Sequence, residues 1–228
     1  NVGRPAAPAA AAADPDWVEA MTEEDDATRA TRLRDLAKSR GDACEALAKF
    51  AGDPQEGRRE KAVHGMDDLG CAGFAEYAAY QLDHSPWVVV ALARAVERHR
   101  VGGMVPFLID HIEDPRRVVD DERPLTIGSI VRHALAVVSA RSTDYDPVAS
   151  APDRAAAVKR WRAWYADHRD EPRAVWVEAG IRDARAGARS DSPVRRSESL
   201  RQLALIGAPA APALREALAR APDELTAG

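Results

Sequence analysis

The chain has 228 residues, of which 46% are hydrophobic and 30% are charged, so it can bury a core as one large domain or two small ones. Its net charge of −5 argues against non-specific binding to nucleic acid. No apolar run reaches the roughly 18 residues that a membrane-spanning helix needs, so we expect no transmembrane segment. Alanine supplies 47 residues, whereas β-branched and aromatic residues never alternate over the length of a strand. The composition predicts an all-α protein.

Both ends of the chain are predicted to lie outside the folded part. Residues 1–15 are rich in Ala and Pro and are interpreted as a disordered linker, and residues 223–228 as a tail. A linker of this kind commonly follows a signal peptide that has been removed. We therefore expect an exported protein that is periplasmic, lipoprotein-anchored or extracellular, while a cytoplasmic location stays open.

A repeated pair of residues, acidic or Ser followed by Pro, divides the chain into segments. The pairs are Asp53-Pro54, Ser85-Pro86, Asp114-Pro115, Glu171-Pro172 and Ser192-Pro193. Pro is tolerated in the first turn of a helix, and Gly permits the positive φ of a tight turn between helices. Glycines in phase with the Pro pairs are Gly41, Gly70, Gly102 and Gly207. Each unit is therefore predicted to be a helix, a turn and a second helix.

Apolar residues inside these units recur with helical spacing. Two successive faces consist of Val89, Leu92, Val96 and His99, and of Met104, Phe107, Leu108 and His111. Two later stripes consist of Ile127, Ile130, Val131, Ala134, Leu135 and Val138, and of Val158, Trp161, Trp164, Tyr165 and His168. We expect these faces to be buried between neighbouring helices.

The string IGAPAAPAL at residues 206–214 is the most specific motif in the chain. It resembles the short bacterial HEAT-like repeat found in PBS-lyase-type proteins. There a Leu/Ile-Gly turn ends the first helix, and a Pro in the first turn of the second helix precedes a core Leu. These roles would fall to Ile206, Gly207, Pro212 and Leu214. Residues 101–108 repeat the pattern, residues 69–74 repeat it without the Pro, and residues 41–47 match least.

This resemblance implies an α-α superhelix, a HEAT-like solenoid of about ten to twelve helices. We assign residues 16–222 to a single domain of this kind. The interval from Pro115 to Pro172 is too long for one compact helix pair, and the surplus lies at residues 118–124 and 141–152. We interpret this region as one repeat with a long inter-helix loop at 141–152.

The long loop and the predicted helix after it, which contains Trp161 and Trp164 and which we call the aromatic helix, form the candidate binding site. A long loop in a compact domain is more often functional than not. The candidate residues are Tyr145, Asp146, Trp161 and Trp164. Tyr145 is either an exposed contact or a lid folded over the two tryptophans. The aromatic helix is interpreted mainly as core, with an aromatic-lined binding surface as the alternative.

Clusters of acidic residues raise the question of a metal site. Asp110, His111, Glu113 and Asp114 do not converge, because His111 lies on the apolar stripe, so we interpret them as a solvated helix end. The acidic residues of the two surplus segments lack the spacing of a calcium-binding loop. They are Asp120, Asp121, Glu122, Asp144 and Asp146. We expect neither a metal nor another cofactor.

Cys44 and Cys71 are spaced by nearly one repeat and fall near the starts of consecutive second helices. In an exported protein they could form a disulfide if their Cα atoms came within about 7 Å of each other. Two independent buried thiols are the alternative.

Common catalytic strings such as HExxH, GxSxG, Walker A and GxGxxG do not occur. We therefore expect a non-enzymatic scaffold or interaction module whose partner is a protein or peptide and not nucleic acid. The alternative is a HEAT-like enzyme of the DNA glycosylase or bilin lyase type. The resemblance to such glycosylases would involve Trp161, Trp164 and either Asp167 or Asp170, although the negative net charge argues against a DNA substrate.

Overall fold

A computed structural model describes residues 15–50, 53–71, 85–120, 123–142 and 144–220. These residues contain eleven α-helices and two short strands, which confirms the all-α class. No helix in these ranges is both long enough and apolar enough to cross a lipid bilayer. The predicted linker, apart from Pro15, and the predicted tail lie outside the described residues.

The chain divides into two compact units, and the division falls within one helix, after Ile130. Residues 1–104 and 115–130 form the first unit, and residues 105–114 and 131–228 form the second. Stacked repeats also give compact local units, so the assignment of residues 16–222 to one repeat domain stays a prediction.

Five helices and a β-hairpin make up the described part of the first unit. They are α1 (Pro15–Thr22), α2 (Asp26–Arg40), α3 (Ala43–Lys49), α4 (Glu56–Asp68), α5 (Pro86–His99), β1 (Arg117–Asp120) and β2 (Arg123–Thr126). The boundary helix is α7 (Ile127–Ser139). The second unit contains α6 (Val105–Asp110), α8 (Ala151–His168), α9 (Arg173–Gly187), α10 (Pro193–Ile206) and α11 (Ala211–Arg220).

Proline residues begin helices at most of the predicted places. Pro86 and Pro193 occupy the first turns of α5 and α10, and in each case the hydroxyl of the preceding Ser caps the helix. Pro172 is the N-cap residue of α9. A Pro at these positions removes no helical hydrogen bond. Pro115 differs, because β1 and not a helix follows it.

Three of the four predicted turn glycines have the positive φ that the sequence indicates; Gly102 instead begins a short 3₁₀ helix (Gly102–Met104), and the residue with positive φ after α5 is Arg100. Gly41 follows α2 with φ of 70°, Gly70 lies beyond α4 with φ of 66°, and Gly207 follows α10 with φ of 80°. Residues other than Gly are strained at such φ values, because their Cβ atom clashes with the backbone. These turns therefore end the helices where the repeat pattern predicts.

The surplus segment at 118–124 departs from the purely helical expectation, because β1 and β2 pair there as an antiparallel hairpin. The pairing runs from Arg117 opposite Thr126 to Asp120 opposite Arg123. Val118 on β1 is 3% exposed, so the hairpin has an apolar side. Strands of four residues are too short to show a clear alternating pattern, which is why composition missed them. Asp121 and Glu122 lie outside the described residues.

A disulfide joins Cys44, in the first turn of α3, to Cys71, just beyond α4. The Cα atoms of the two residues are 5.6 Å apart, and they are separated by 27 positions in the sequence. The bond closes the helix pair α3–α4 covalently. It therefore limits the conformations that this part of the chain can adopt when unfolded.

The core of the second unit lies where the end of α7 meets α9, α10 and α11. Its buried residues are Ala140, Val177, Ala184, Leu203, Ile206, Ala210 and Ala213. All six members of the predicted α7 stripe are buried. Two glycines of α9 allow close approach: a Cβ built on Gly180 would lie 2.1 Å from the carbonyl oxygen of Ala140, and one built on Gly187 would lie 2.1 Å from Ser199 Oγ.

Candidate functional site

The long loop predicted at 141–152 is shorter in the structure, because α8 already begins at Ala151; we call residues 140–150, of which Thr143 is not described, the α7–α8 loop. Arg141 holds this loop against α8. Its guanidinium carbon lies 5.6 Å from the ring centroid of Trp161 and 5.0 Å from that of Trp164. Both distances are within the range of a cation–π interaction. The first residues of the loop are therefore attached to the middle of α8.

Polar contacts order the rest of this loop. Asp144 Oδ2 accepts a hydrogen bond of 2.7 Å from Arg160 Nε on α8. The predicted binding residue Asp146 is exposed, and its Oδ1 accepts a hydrogen bond of 2.9 Å from the backbone N–H of Val148. This is the local bond of an Asx turn. It fixes the tip of the loop, where Val148 is 88% exposed.

Tyr145 is folded back into the protein and is only 7% exposed, unlike the exposed contact that the sequence allowed. Its hydroxyl donates a hydrogen bond of 3.1 Å to Glu113 Oε1. The guanidinium carbon of Arg132 lies 5.4 Å from the centroid of its ring. The ring therefore packs on Arg132 and does not form the expected lid over Trp161 and Trp164.

Burial also shifts the pKa values of Tyr145 and Arg132. Desolvation raises the pKa of the Tyr145 phenol above its ordinary value, and the hydrogen bond and negative charge of Glu113 raise it further. Desolvation lowers the pKa of the Arg132 guanidinium. Near neutral pH, Tyr145 is thus a neutral hydrogen-bond donor, so it anchors the loop and does not act as a base.

The Tyr145→Phe variant is expected to lose about 1 kcal/mol of stability, because Glu113 loses a part-buried hydrogen-bond donor. Urea unfolding followed by circular dichroism measures this loss. Because the folded-state pKa of Tyr145 is raised, the phenol contributes stability that is fully present below the ordinary tyrosine pKa and is lost as pH rises through the folded-state pKa. The Tyr145→Phe variant should therefore lose less stability than the unmodified chain when the pH is made alkaline. Tyr165→Phe is the matched control, since Tyr165 is half-buried and has no hydroxyl bond among the described residues. Equal losses in both variants would contradict the anchoring role of Tyr145.

The aromatic side chains of α8 and α9 form a cluster that is core on one side and open on the other. Trp164 lies at its centre, with ring centroids 5.4 Å from Trp161, 5.2 Å from Trp176 and 5.4 Å from His168. Trp161 and Trp176 are 3% and 5% exposed, whereas Trp164, Tyr165 and His168 are half-buried. In the predicted stripe of α8, Trp161 is therefore the residue that lies in the core, whereas Trp164 contributes to a partly open aromatic surface.

The four residues considered as metal ligands have other partners. Asp110 pairs with Arg162 at 2.9 Å, and Glu113 pairs with Arg154 at 3.1 Å. His111 Nδ1 lies 3.8 Å from Asp114 Oδ2. Within the described ranges, no group of three or more His, Cys, Asp or Glu residues is arranged to hold a metal ion. Asp110 and Glu113 instead attach α6 and the residues after it to α8.

The sequence interpretation missed two buried charges among the described residues of the first unit, Arg29, which pairs with Asp26, and Asp67. Asp67, whose side chain is 5% exposed, lies 2.7 Å from His99 Nε2 and 2.5 Å from the guanidinium of Arg98. His99 was expected on the apolar face of α5, so that assignment is corrected. Burial of an unpaired carboxylate is costly, and the guanidinium of Arg98 compensates the charge of Asp67. No local spacing could indicate this pair, because 32 residues separate its members.

Comparison with known proteins gives no relative: no family model, no curated protein and no solved structure matches this chain. The function of the site is therefore argued from the contacts of its own residues.

Proposed function

We propose that this chain is a non-enzymatic protein-interaction module whose contact surface is the α7–α8 loop together with the open side of α8. The observation that supports the proposal best is Val148, which is 88% exposed at the tip of a loop whose flanking residues are held in place. An apolar residue in this position gains nothing from folding. It gains only when another surface covers it.

Order in the loop supports this proposal. Arg141, Asp144, Tyr145 and Asp146 each make a defined contact before the tip, and after it the backbone carbonyl of Ala149 accepts a hydrogen bond of 2.7 Å from Arg154. Ordering a loop costs conformational entropy, and a loop that is already ordered does not incur this cost again when it binds. The contacts thus order the loop before a partner binds, and this order favours binding.

The surface offered to a partner is mixed in chemistry. Val148 supplies an apolar tip, Trp164 a half-buried aromatic ring, and Arg141 an exposed guanidinium stacked on that ring. Aromatic and arginine side chains are enriched among residues that dominate binding energy at protein interfaces. Of the predicted binding residues, Asp146 and Trp164 would belong to this surface, while the buried Tyr145 and Trp161 would support it.

We also propose that the module is a HEAT-like solenoid that works outside the cytoplasm. The helix pairs with Pro at helix starts and Gly at turns support the repeat type. The disulfide between Cys44 and Cys71 supports an oxidising compartment, where such bonds persist.

The glycosylase-type alternative gains no support from the aromatic residues. Stacking on a nucleic-acid base needs an accessible ring; Trp161 is 3% exposed, and the half-buried ring of Trp164 already stacks with Arg141. Among its two candidate carboxylates, Asp167 and Asp170, the latter lies 3.7 Å from Arg169. An unchanged band of duplex DNA in a gel at low salt is the expected result.

The Val148→Asp variant tests the interaction surface. We expect its stability to stay within about 0.5 kcal/mol of the unmodified chain, because the side chain is exposed. We expect loss of the partner when the tagged chain is cross-linked in its source cells and purified, with the partner identified by mass spectrometry.

Val175→Asp provides the matched control, since Val175 is a 44% exposed valine on α9, away from the loop in sequence. It should retain the same partner at the same yield. A partner that survives Val148→Asp, or no specific partner for the unmodified chain, would contradict the proposal.

A further inference from the structure

Four arginines gather where three helices of the second unit end or begin; we call Arg185, Arg189, Arg195 and Arg220 the arginine patch. Arg185 is in the last turn of α9, and Arg220 is the last residue of α11. Arg189 lies in the turn between α9 and α10, and Arg195 lies in the first turn of α10. The loop surface described above shares no residue with this patch.

One carboxylate serves three of these guanidinium groups. Glu216 on α11 lies 2.9 Å from Arg220, 3.2 Å from Arg189 and 3.7 Å from Arg185. The fourth side chain is near the same helix end, because a Cβ built on Gly187 would lie 3.8 Å from Arg195 Nε. Three arginines against the single carboxylate of Glu216 leave an excess of two positive charges in this group of ion pairs.

Helix stability explains only part of this arrangement. Arg185 and Arg220 at the carboxyl ends of α9 and α11 suit the helix dipole. Arg195 does not, since a cation in the first turn of a helix faces the positive end of the dipole. A residue that opposes a local rule without an evident structural gain is a candidate for function.

An exposed apolar side chain lies beside the patch. Val194 precedes Arg195 in the first turn of α10 and is 67% exposed. The surface thus combines an aliphatic contact with several cations that can each hold a carboxylate by two hydrogen bonds.

We propose that the arginine patch and Val194 form a second docking surface, which binds an acidic segment of a partner protein that also carries an aliphatic residue. In the free chain Glu216 occupies the position that a carboxylate of the partner takes when bound. The partner's carboxylates exchange with Glu216, and its aliphatic side chain covers Val194.

Charge favours this occupant over nucleic acid or membrane. The chain as a whole is negative, with 37 acidic against 32 basic residues, and this balance disfavours binding of a long phosphate backbone. Stable membrane binding needs more than one inserted apolar residue, and Val194 is single in the patch. A short acidic peptide needs no more basic surface than the patch itself.

The test measures binding of a fluorescent peptide of about twelve residues, rich in Glu with two Leu, by anisotropy at about 20 mM and about 300 mM NaCl. We expect binding at low salt that weakens at high salt, and none for the same peptide with Gln in place of Glu. The Arg189→Glu/Arg220→Glu variant should bind at least about tenfold more weakly, which corresponds to roughly one ion pair per arginine. Val194→Asp should also weaken binding, and Glu216→Gln should strengthen it by removing the competing carboxylate.

Arg201→Glu/Arg215→Glu is the matched control, with the same change in net charge on exposed arginines of α10 and α11 outside the patch. It should weaken peptide binding by less than about twofold, as expected for screened charges that do not pair with the peptide. Equal weakening by both double variants would overturn the proposal, because binding would then follow net charge alone. The proposal would also be overturned if the chain bound duplex DNA or anionic phosphatidylglycerol vesicles instead of the peptide, and if that binding were lost in the Arg189→Glu/Arg220→Glu variant.

Discussion

Gly180→Ala is expected to destabilise the second unit by about 3 kcal/mol, as overpacking against a fixed backbone does at its upper range. The added Cβ would lie 2.1 Å from the carbonyl oxygen and 3.1 Å from the carbonyl carbon of Ala140. These atoms belong to the backbone, so no side chain can rotate away. Urea unfolding followed by tryptophan fluorescence measures the loss, since Trp161, Trp164 and Trp176 lie in this unit.

The Gly57→Ala variant is the matched control. Gly57 is also a helical glycine, near the start of α4, and a Cβ built on it meets nothing within 4 Å. Alanine there should stabilise the chain by up to about 1 kcal/mol, because it restricts the unfolded backbone more than glycine does. Loss of stability in both variants would show that the cost at Gly180 comes from the backbone and not from the contact with Ala140.

Helix starts and ends could be predicted because they depend on neighbouring residues. Ser before Pro supplies a capping hydroxyl and a residue that needs no helical hydrogen bond, and the structure begins α5 and α10 at these pairs. Gly at positive φ ends α2 and α10 for an equally local reason. The all-α class follows from the same signals, whereas the superhelical arrangement stays a prediction.

Side-chain partners could not be predicted, because they join distant parts of the chain. Tyr145 meets Glu113 across 32 residues, and Arg162 meets Asp110 across 52. Spacing along one helix indicates which face a residue occupies and gives no information about the residue opposite. For this reason the sequence placed Tyr145 in the long loop but offered Trp161 and Trp164 as its neighbours, whereas its ring packs on Arg132.

The acidic cluster after α6 illustrates the same limit. Asp110 and Glu113 are potential metal ligands by residue type, but arginines of α8 neutralise both. The sequence interpretation of α8 considered its tryptophans and not these arginines. The useful signal was the surplus of arginine on α8 opposite an acidic segment, and it becomes visible only once the two segments are known to pack.

Leu203→Ala is expected to cost about 3 to 4 kcal/mol, within the range for removal of a fully buried leucine side chain. Leu203 is completely buried in the core of the second unit, together with Ile206, Ala210 and Ala213. Surrounding alanines have short side chains that cannot move in to fill the space, so a cavity should remain. Chemical denaturation measured by circular dichroism gives the loss.

Leu214→Ala tests whether depth of burial sets this cost. Leu214 is only partly buried at the edge of the same core, so its truncation should cost about half as much as that of Leu203. Leu203→Met, which keeps the volume, should cost less than about 1.5 kcal/mol. Hydrogen exchange should show the damage in α9, α10 and α11 and little change in α4 and α5, because stability in stacked helices is mainly a sum of neighbouring contacts. Equal losses for both leucines, or uniform loss of protection along the chain, would contradict a core built from local helix pairs.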